Sequence, residues 1–474
     1  MDEMTAYAMV INGERVAGAS SFPVLNPADE TAFAQCPKAD KAQLEQAIAA
    51  AKAAFPGWAA TPIEERAQAL VAIGKALESR AQEFAGLITR EQGKPIDQAM
   101  FEVMGSVAVL MTFAGMRLDP QVISDANGRK VIEHRTPLGV VAAITPWNYP
   151  LILHCAKVAP ALMAGNSIVA KPAPTTPLAT LKFVELCADH LPAGVLNVIC
   201  DENDLGAELT SHPDVAKVSF TGSTPTGKKV VQAAAGTLKR TTLELGGNDA
   251  AIVLDDVDPV AVARHVFQGA MGNAGQICFA IKRAYVPSSL YEDFCAELAR
   301  LASEAIVDDG AKQGTQVGPL QNAMQFEKVK GYLADAKQNG KVIAGGAPLD
   351  RPGYFIAPTI VRDIADDAKV VREEQFGPIL PVLKYDDIDD VIARANDSEF
   401  GLSGTVWGKD VEAATAIAMR VDAGTVWVNQ HMAIDFAIPF RGAKQSGIGG
   451  EYGQEGLHEY TQAHIVNAVE LSDA

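Results

Sequence analysis

Cys278 stands in the run Gly275-Gln276-Ile277-Cys278-Phe279-Ala280, downstream of an acidic landmark, Leu243-Glu244-Leu245-Gly246-Gly247-Asn248. A thiol is a useful nucleophile as thiolate, or beside a base that takes its proton. The Glu244 carboxylate can be that base, or it can activate a water for a later step. Further upstream, Pro146-Trp147-Asn148-Tyr149-Pro150 holds an amide between two prolines that restrict the local backbone. An asparagine side-chain amide is a good oxyanion donor. Thiol, carboxylate and amide together suit covalent chemistry on a carbonyl. Taken singly, each has an ordinary alternative: an inert buried thiol, a charge at a strand end, and a cap on the following helix.

A second run, Gly222-Ser223-Thr224-Pro225-Thr226-Gly227-Lys228-Lys229, follows a strand-like segment and opens a helical one. It nearly matches a phosphate-binding P-loop, but the last position of that pattern needs Ser or Thr for Mg²⁺ and holds Lys229. A nucleotide triphosphatase is the alternative from another functional class. Under either reading, a helix N-terminus with free N–H groups suits a phosphate.

The elements that must position these residues follow from the patterning. Asn12-Gly13 suits a type I′ turn in a hairpin over Val10–Val16. Ala- and Leu-rich segments from Lys41 to about Ala114 carry helical periodicity, with Pro62 expected at a first helical position. A polar hairpin from Val122 to Arg135 turns at Asn127-Gly128, and an isolated hairpin needs a partner. From Gly139 to Asp258 strands and helices alternate: strands at Val140–Ile144, Ser167–Ala170, Val195–Ile199, Val215–Phe220 and Ala250–Leu254, helices at Leu151–Leu162 and Pro177–His190. The alternation recurs from Val262 to about Val428, and Tyr460–Val469 alternates like a strand. The fold class is α/β, with parallel sheets covered by helices.

Composition sets bounds. A chain of 474 residues can form about two or three domains with sizeable cores. A net charge of −18 disfavours nucleic acid and anionic membrane as partners. Cys36, Cys155, Cys187, Cys200, Cys278 and Cys295 are scattered, as reduced thiols of a cytoplasmic protein would be. No Cys/His cluster has zinc-ligand spacing, so no metal is expected. The start lacks a signal-peptide pattern, and no uninterrupted apolar stretch reaches membrane-spanning length.

Seven landmarks occur in one order: Pro146–Pro150, Lys171-Pro172, Phe220-Thr221-Gly222-Ser223-Thr224, Glu244–Gly247, Gly275–Cys278, Glu374-Gln375-Phe376-Gly377-Pro378, and Pro439-Phe440 with Lys444-Gln445-Ser446-Gly447. In this the chain resembles the aldehyde dehydrogenase superfamily over nearly its whole length. The resemblance implies a Rossmann-like cofactor domain (1–118 and 138–246), an α/β catalytic domain (247–445) and a small β bridging element (119–137 and 455–474). There the tail pairs across a subunit interface, in a homodimer or homotetramer.

The resemblance also implies the roles. Cys278 is the nucleophile, Asn148 an oxyanion donor, and Glu244 the activator of the hydrolytic water, which favours a free acid product over transfer to coenzyme A. NAD or NADP is held by Ile144, Trp147, Lys171, Pro174, Gly222, Ser223, Gly227, Leu245, Gly246, Glu374 and Phe376. Many NAD-preferring relatives carry Glu where this chain has Pro174, so use of both cofactors is expected. The funnel positions are Phe101, Gly105, Tyr149, Ile152, Ala156, Ile277, Phe279, Met432 and Phe440. They contain no Arg for a second carboxylate, and suit an aromatic or medium aliphatic aldehyde. Arg441 replaces a usual Gly, and is expected to face solvent. A non-catalytic binding or structural role is the remaining alternative.

Overall fold

The computed structural model describes residues 7–470. The first residues, read above for a signal, and residues 471–474 of the bridging segment lie outside the described residues.

The strands Leu196–Val198, Ser167–Lys171, Val140–Ile144, Val215–Thr221 and Arg240–Glu244 lie side by side in that order, all parallel. All but Arg240–Glu244 are buried along nearly their whole length, as strands covered on both faces must be, so they read as apolar runs. The hairpin Met9–Ile11 and Glu14–Val16 extends one edge, turning through Asn12 and Gly13 at positive φ. The two-residue strand Gly447–Ile448 closes the other edge, opposite Leu243 and Glu244.

From Val140–Ile144 the chain winds outward over two strands. It then crosses back to start the other half at Val215–Thr221. That reversal leaves a crevice beyond the carboxyl ends of the strands, where open α/β sheets bind ligands. The register sets the crevice floor: Ile144 faces Lys171 on one side and Phe220 on the other, and Thr221 faces Glu244.

A second sheet of seven strands has Asp249–Val253 near its middle, flanked in parallel by Ile281–Pro287 and Ser403–Trp407. Cys278 lies just before the Ile281–Pro287 strand. Of the four helices Lys41–Ala60, Ile63–Ser79, Ala81–Gln92 and Ile96–Gly115, the first packs on the first sheet, and the other three pack on one another and on helices Pro150–Met163 and Leu178–Cys187. Asp40 and Gln43 form a capping box on the first of them. Pro62 is the N-cap of the second helix rather than its first residue, one position earlier than expected.

Helix Ile96–Gly115 is long and apolar enough to cross a membrane by length and composition, with Asp97 and Glu102 interrupting its apolar run. Half of its apolar window is buried in the protein, and its Glu102 forms a fully buried ion pair with Lys94. The tail strand Thr461–Val469, expected to pair across a subunit interface, pairs along one edge with its own chain, antiparallel to Arg129–Pro137 from Thr461–Pro137 to Val469–Arg129. Its other edge has no partner among the described residues. The Gln121–Ala126 strand completes this three-stranded sheet. A further hairpin, Ser20–Leu25 with Ala32–Lys38, had no clear signal in the sequence.

Candidate active site

Cys278, the expected nucleophile, sits after a strained turn. Asn273, Ala274 and Gly275 are all left-handed, with φ of 48°, 54° and 71°. Alanine rarely adopts this conformation, so surrounding contacts must hold it. Gln276 supplies some: its Nε2 donates to Asn273 O at 2.9 Å, and its Oε1 accepts from Gln321 N–H at 2.9 Å. At position 275 a Cβ would lie 2.1 Å from the Gly377 carbonyl oxygen, so only glycine fits. Lys282 fastens the same contact. Its ammonium donates to Gly275 O at 2.6 Å and to Gly377 O at 3.0 Å. Burial pulls its pKa down to about 7. Of the six cysteines, Cys278 is partly exposed and the other five are buried.

Asn148 is fastened to this turn. Its Nδ2 donates to Gln276 O at 3.0 Å, and its backbone carbonyl accepts from Asn273 Nδ2 at 3.1 Å and Lys94 Nζ at 2.8 Å. Lys94 also pairs with Glu102 at 2.6 Å and lies 3.4 Å from the centre of the Tyr149 ring. The other Glu102 oxygen accepts from Leu151 N–H at 2.8 Å, at the N-terminus of helix Pro150–Met163, where a negative charge is favoured. Lys94, Glu102, Asn273 and Gln321 thus support the amide, and none was foreseen. Glu102 carries a sequence signal in hindsight, as an acid inside an apolar helix.

Glu244 ends its strand nearly buried, and its Oε1 has no hydrogen-bond partner in the protein. Burial and the charge of Glu451 push its pKa well above the carboxylate range, against the pull of Lys157 and Arg441. Lys157 is committed to Glu451 at 2.6 Å. Burial, with the charges of Glu244, Asp249 and Glu374, pushes the Cys278 thiol well up in turn. The chain after Glu244 passes against the nucleophile: a Cβ at Gly247 would lie 2.3 Å from Cys278 O.

The residues expected to hold a dinucleotide line the crevice. Gly222 and Ser223 follow the strand Val215–Thr221, and Ser223 is the N-cap of helix Thr224–Ala234. The Ser223 hydroxyl lies 3.0 Å from that of Thr226 and caps no backbone N–H, so the helix N-terminus is open to an anion. Gly227 lets that helix close onto Leu245, whose Cδ2 would be 2.6 Å from a Cβ there. Gly246 likewise admits Glu374, whose Oε2 would be 2.5 Å from a Cβ. Glu374 Oε1 accepts from Gly247 N–H at 3.0 Å. The Trp147 and Phe376 rings meet edge to face at 5.3 Å, and Gln325 holds the Phe376 carbonyl at 2.8 Å. Lys171 ends its strand paired to Asp201 at 2.6 Å, and Pro174 follows in the turn, half-buried. An open helix N-terminus, glycines where side chains would collide, and a buried carboxylate fit a dinucleotide.

Several of the residues expected to form the funnel meet in pairs. Gly105 faces Ile152, whose Cδ1 would be 2.7 Å from a Cβ. Ile277 and Met432 approach the same glycine, Gly272. The Phe279 ring packs against Phe440 at 5.5 Å and Trp427 at 6.2 Å. Ala156 is buried in helix Pro150–Met163. Phe101 is not gathered in: at 73% exposure it stands on the outer face of its helix. Arg441 is exposed, as expected, and pairs with Glu455.

Trp427, His431, Phe436 and Tyr452 were missed. His431 holds the Phe279 carbonyl at 2.8 Å and packs on Trp427, and burial lowers its pKa to about 4. Phe436 packs on Tyr452 at 5.1 Å. Burial and the charge of Glu451, with smaller contributions from Cys278 and Glu244, raise the pKa of the Tyr452 hydroxyl.

Comparison with known proteins agrees with this geometry. The model of the aldehyde dehydrogenase family matches residues 15–466. A betaine aldehyde dehydrogenase of Rhizobium etli is 39% identical over 470 residues, covering 96% of each chain. An aldehyde dehydrogenase of Bacillus cereus solved with NAD⁺ superposes with a TM-score of 0.96 at 36% identity, covering 98% of this chain and 97% of that one. An NADP-dependent enzyme of E. coli gives 0.96 at 35%, covering 98% and 99%. The chain therefore belongs to the aldehyde dehydrogenase family, oxidoreductases that oxidise aldehydes with NAD or NADP.

Proposed function

We propose that this chain oxidises an apolar aldehyde, aromatic or medium aliphatic, to its carboxylic acid through a thioester on Cys278. The observation that carries the reading is the arrangement of three groups. The Asn148 amide is tied to Gln276, two residues before the one partly exposed thiol, and the unpaired oxygen of Glu244 acts electrostatically on that thiol.

Cys278, as thiolate, attacks the aldehyde carbon. The Asn148 amide and the Cys278 backbone N–H stabilise the resulting oxyanion, and such a donor is worth roughly 10²–10³ in rate. Glu374 would hold the nicotinamide-side ribose with Phe376 packing near that ring and Trp147 beside Phe376, and the cofactor would supply the acceptor for the hydride that leaves the adduct. Glu244 then takes a proton from the water that attacks the thioester, releasing the acid and restoring the thiol. Phe279, Trp427, Phe436, Phe440 and Tyr452 give the funnel an aromatic wall suited to flat apolar substrates.

The division into a cofactor domain (1–118, 138–246), a catalytic domain (247–445) and a bridging element (119–137, 455–474) belongs to the same reading. So do a homodimer or homotetramer and a cytoplasmic location. The decisive test is Cys278→Ala. Oxidation of benzaldehyde and hexanal should fall to background while NADH still quenches protein fluorescence with near-normal affinity. Substantial residual turnover would remove Cys278 from its role.

A further inference from the structure

The cofactor corner holds a carboxylate that no motif announces. Asp201 follows the strand Leu196–Val198, which runs beside Ser167–Lys171 with Val198 opposite Ala170. Its side chain is fully buried. One oxygen lies 2.6 Å from the Lys171 ammonium, and the other accepts from Leu205 N–H at 2.8 Å. The lysine stem passes over Gly206, whose Cβ, if present, would lie 3.7 Å from its Cε. Lys171 is thus a cation already committed to a partner.

The surrounding segment reinforces the sign of the charge. Glu202 and Asp204 follow Asp201 directly, and both pair with Lys38, at 2.9 and 3.1 Å. Three carboxylates therefore meet two lysines at this corner, and both lysines are engaged. Pro174, where an acid could have gripped the ribose, contributes no charge.

NAD and NADP differ here by one group, a hydroxyl or a phosphate dianion on the adenosine ribose. A free lysine would welcome the dianion. A lysine neutralised by a buried carboxylate offers it little, and the carboxylate repels it. We propose that Asp201, by holding Lys171 in a buried ion pair, makes this site select NAD over NADP. Asp201 is a specificity-determining residue that acts through Lys171, in place of the acid missing at position 174. The inference rests on reading Lys171 as the residue that meets the adenosine ribose.

The test is equilibrium binding of NADH and NADPH to the full-length protein, followed by fluorescence, with no turnover required. The wild type should bind NADH about tenfold or more tighter than NADPH, the scale of one charge–charge contact at the protein surface. Asp201→Asn keeps an acceptor for Leu205 N–H and removes the charge. It should bring the two affinities within about threefold of each other, chiefly by tightening NADPH. In Lys171→Met/Asp201→Asn that tightening should disappear. Equal wild-type affinities, or an unchanged ratio in a folded Asp201→Asn, would overturn the proposal. The wild-type ratio decides the matter even if the variant does not fold. If Lys171→Met alone leaves both affinities untouched, it is the placement of Lys171 at the ribose that fails.

Discussion

After burial, the Glu244 charge raises the cost of ionising Cys278, and that shapes what its variants should do. Glu244→Gln keeps the shape and removes the base. It should impair thioester hydrolysis more than hydride transfer, giving a burst of reduced cofactor on rapid mixing and a slow steady state. Intact steady-state activity would sink the assignment. The same substitution removes a negative charge beside the thiol, so the Cys278 pKa should fall. Alkylation by iodoacetamide, followed against pH, should rise into the alkaline range in the wild type and begin at lower pH in Glu244→Gln. The three side chains proposed to react stood out in the sequence because each sits in a local run. Lys94, Glu102 and Trp427 were not, because what makes them matter is contact with residues far along the chain.

Helix Pro150–Met163 carries the Asn148–Tyr149 segment at its start, and its interior explains a further sensitivity. His154 is fully buried against Phe183, and neither ring nitrogen has a partner. Burial lowers its pKa from 6.5 to about 3. The unfolded chain binds a proton that the folded one does not between those values, so stability is present above pH 6.5 and falls with pH below it. At pH 5 the loss from this residue is about 2 kcal/mol. His154→Leu removes the titrating group from an apolar site. The stability difference between pH 7 and pH 5, from urea unfolding, should shrink by about that amount. An unchanged difference would mean that the ring is hydrated in solution. The helix itself was legible from its apolar run and the proline at its start. The histidine was not distinguishable from a surface residue, because burial is decided by what packs on top.

At the scale of the whole molecule, strand–helix alternation was visible, but the neighbours were not. Gly447–Ile448 returns to the edge beside Glu244, and Ser446 Oγ donates to Gly246 O at 2.7 Å. Nothing local to either segment specifies that closure, although both carry a family landmark. The same limit applies to the tail. Its alternation announced a strand, but not that one of its edges pairs with Arg129–Pro137 of the same chain. The resulting sheet has two outer strands, Gln121–Ala126 and Thr461–Val469, that expose Val122, Ile123, Ile465, Val466 and Val469. Apolar open edges are sites of association. We expect a homodimer or homotetramer in sedimentation, and a shift toward smaller species in Ile465→Lys/Val466→Lys with unchanged circular dichroism. A wild-type monomer would refute the assembly.

The Lys282 ammonium holds two carbonyl oxygens, one from the turn before Cys278 and one from the segment after Phe376. A movement of either segment is therefore transmitted to the other, through the direct packing of Gly275 on Gly377 and through the one amine that bridges them. In thermodynamic terms a free energy of coupling between the two segments is reciprocal. What favours the ordered form of one should favour that of the other, and damage to one should be inherited by the other rather than simply added.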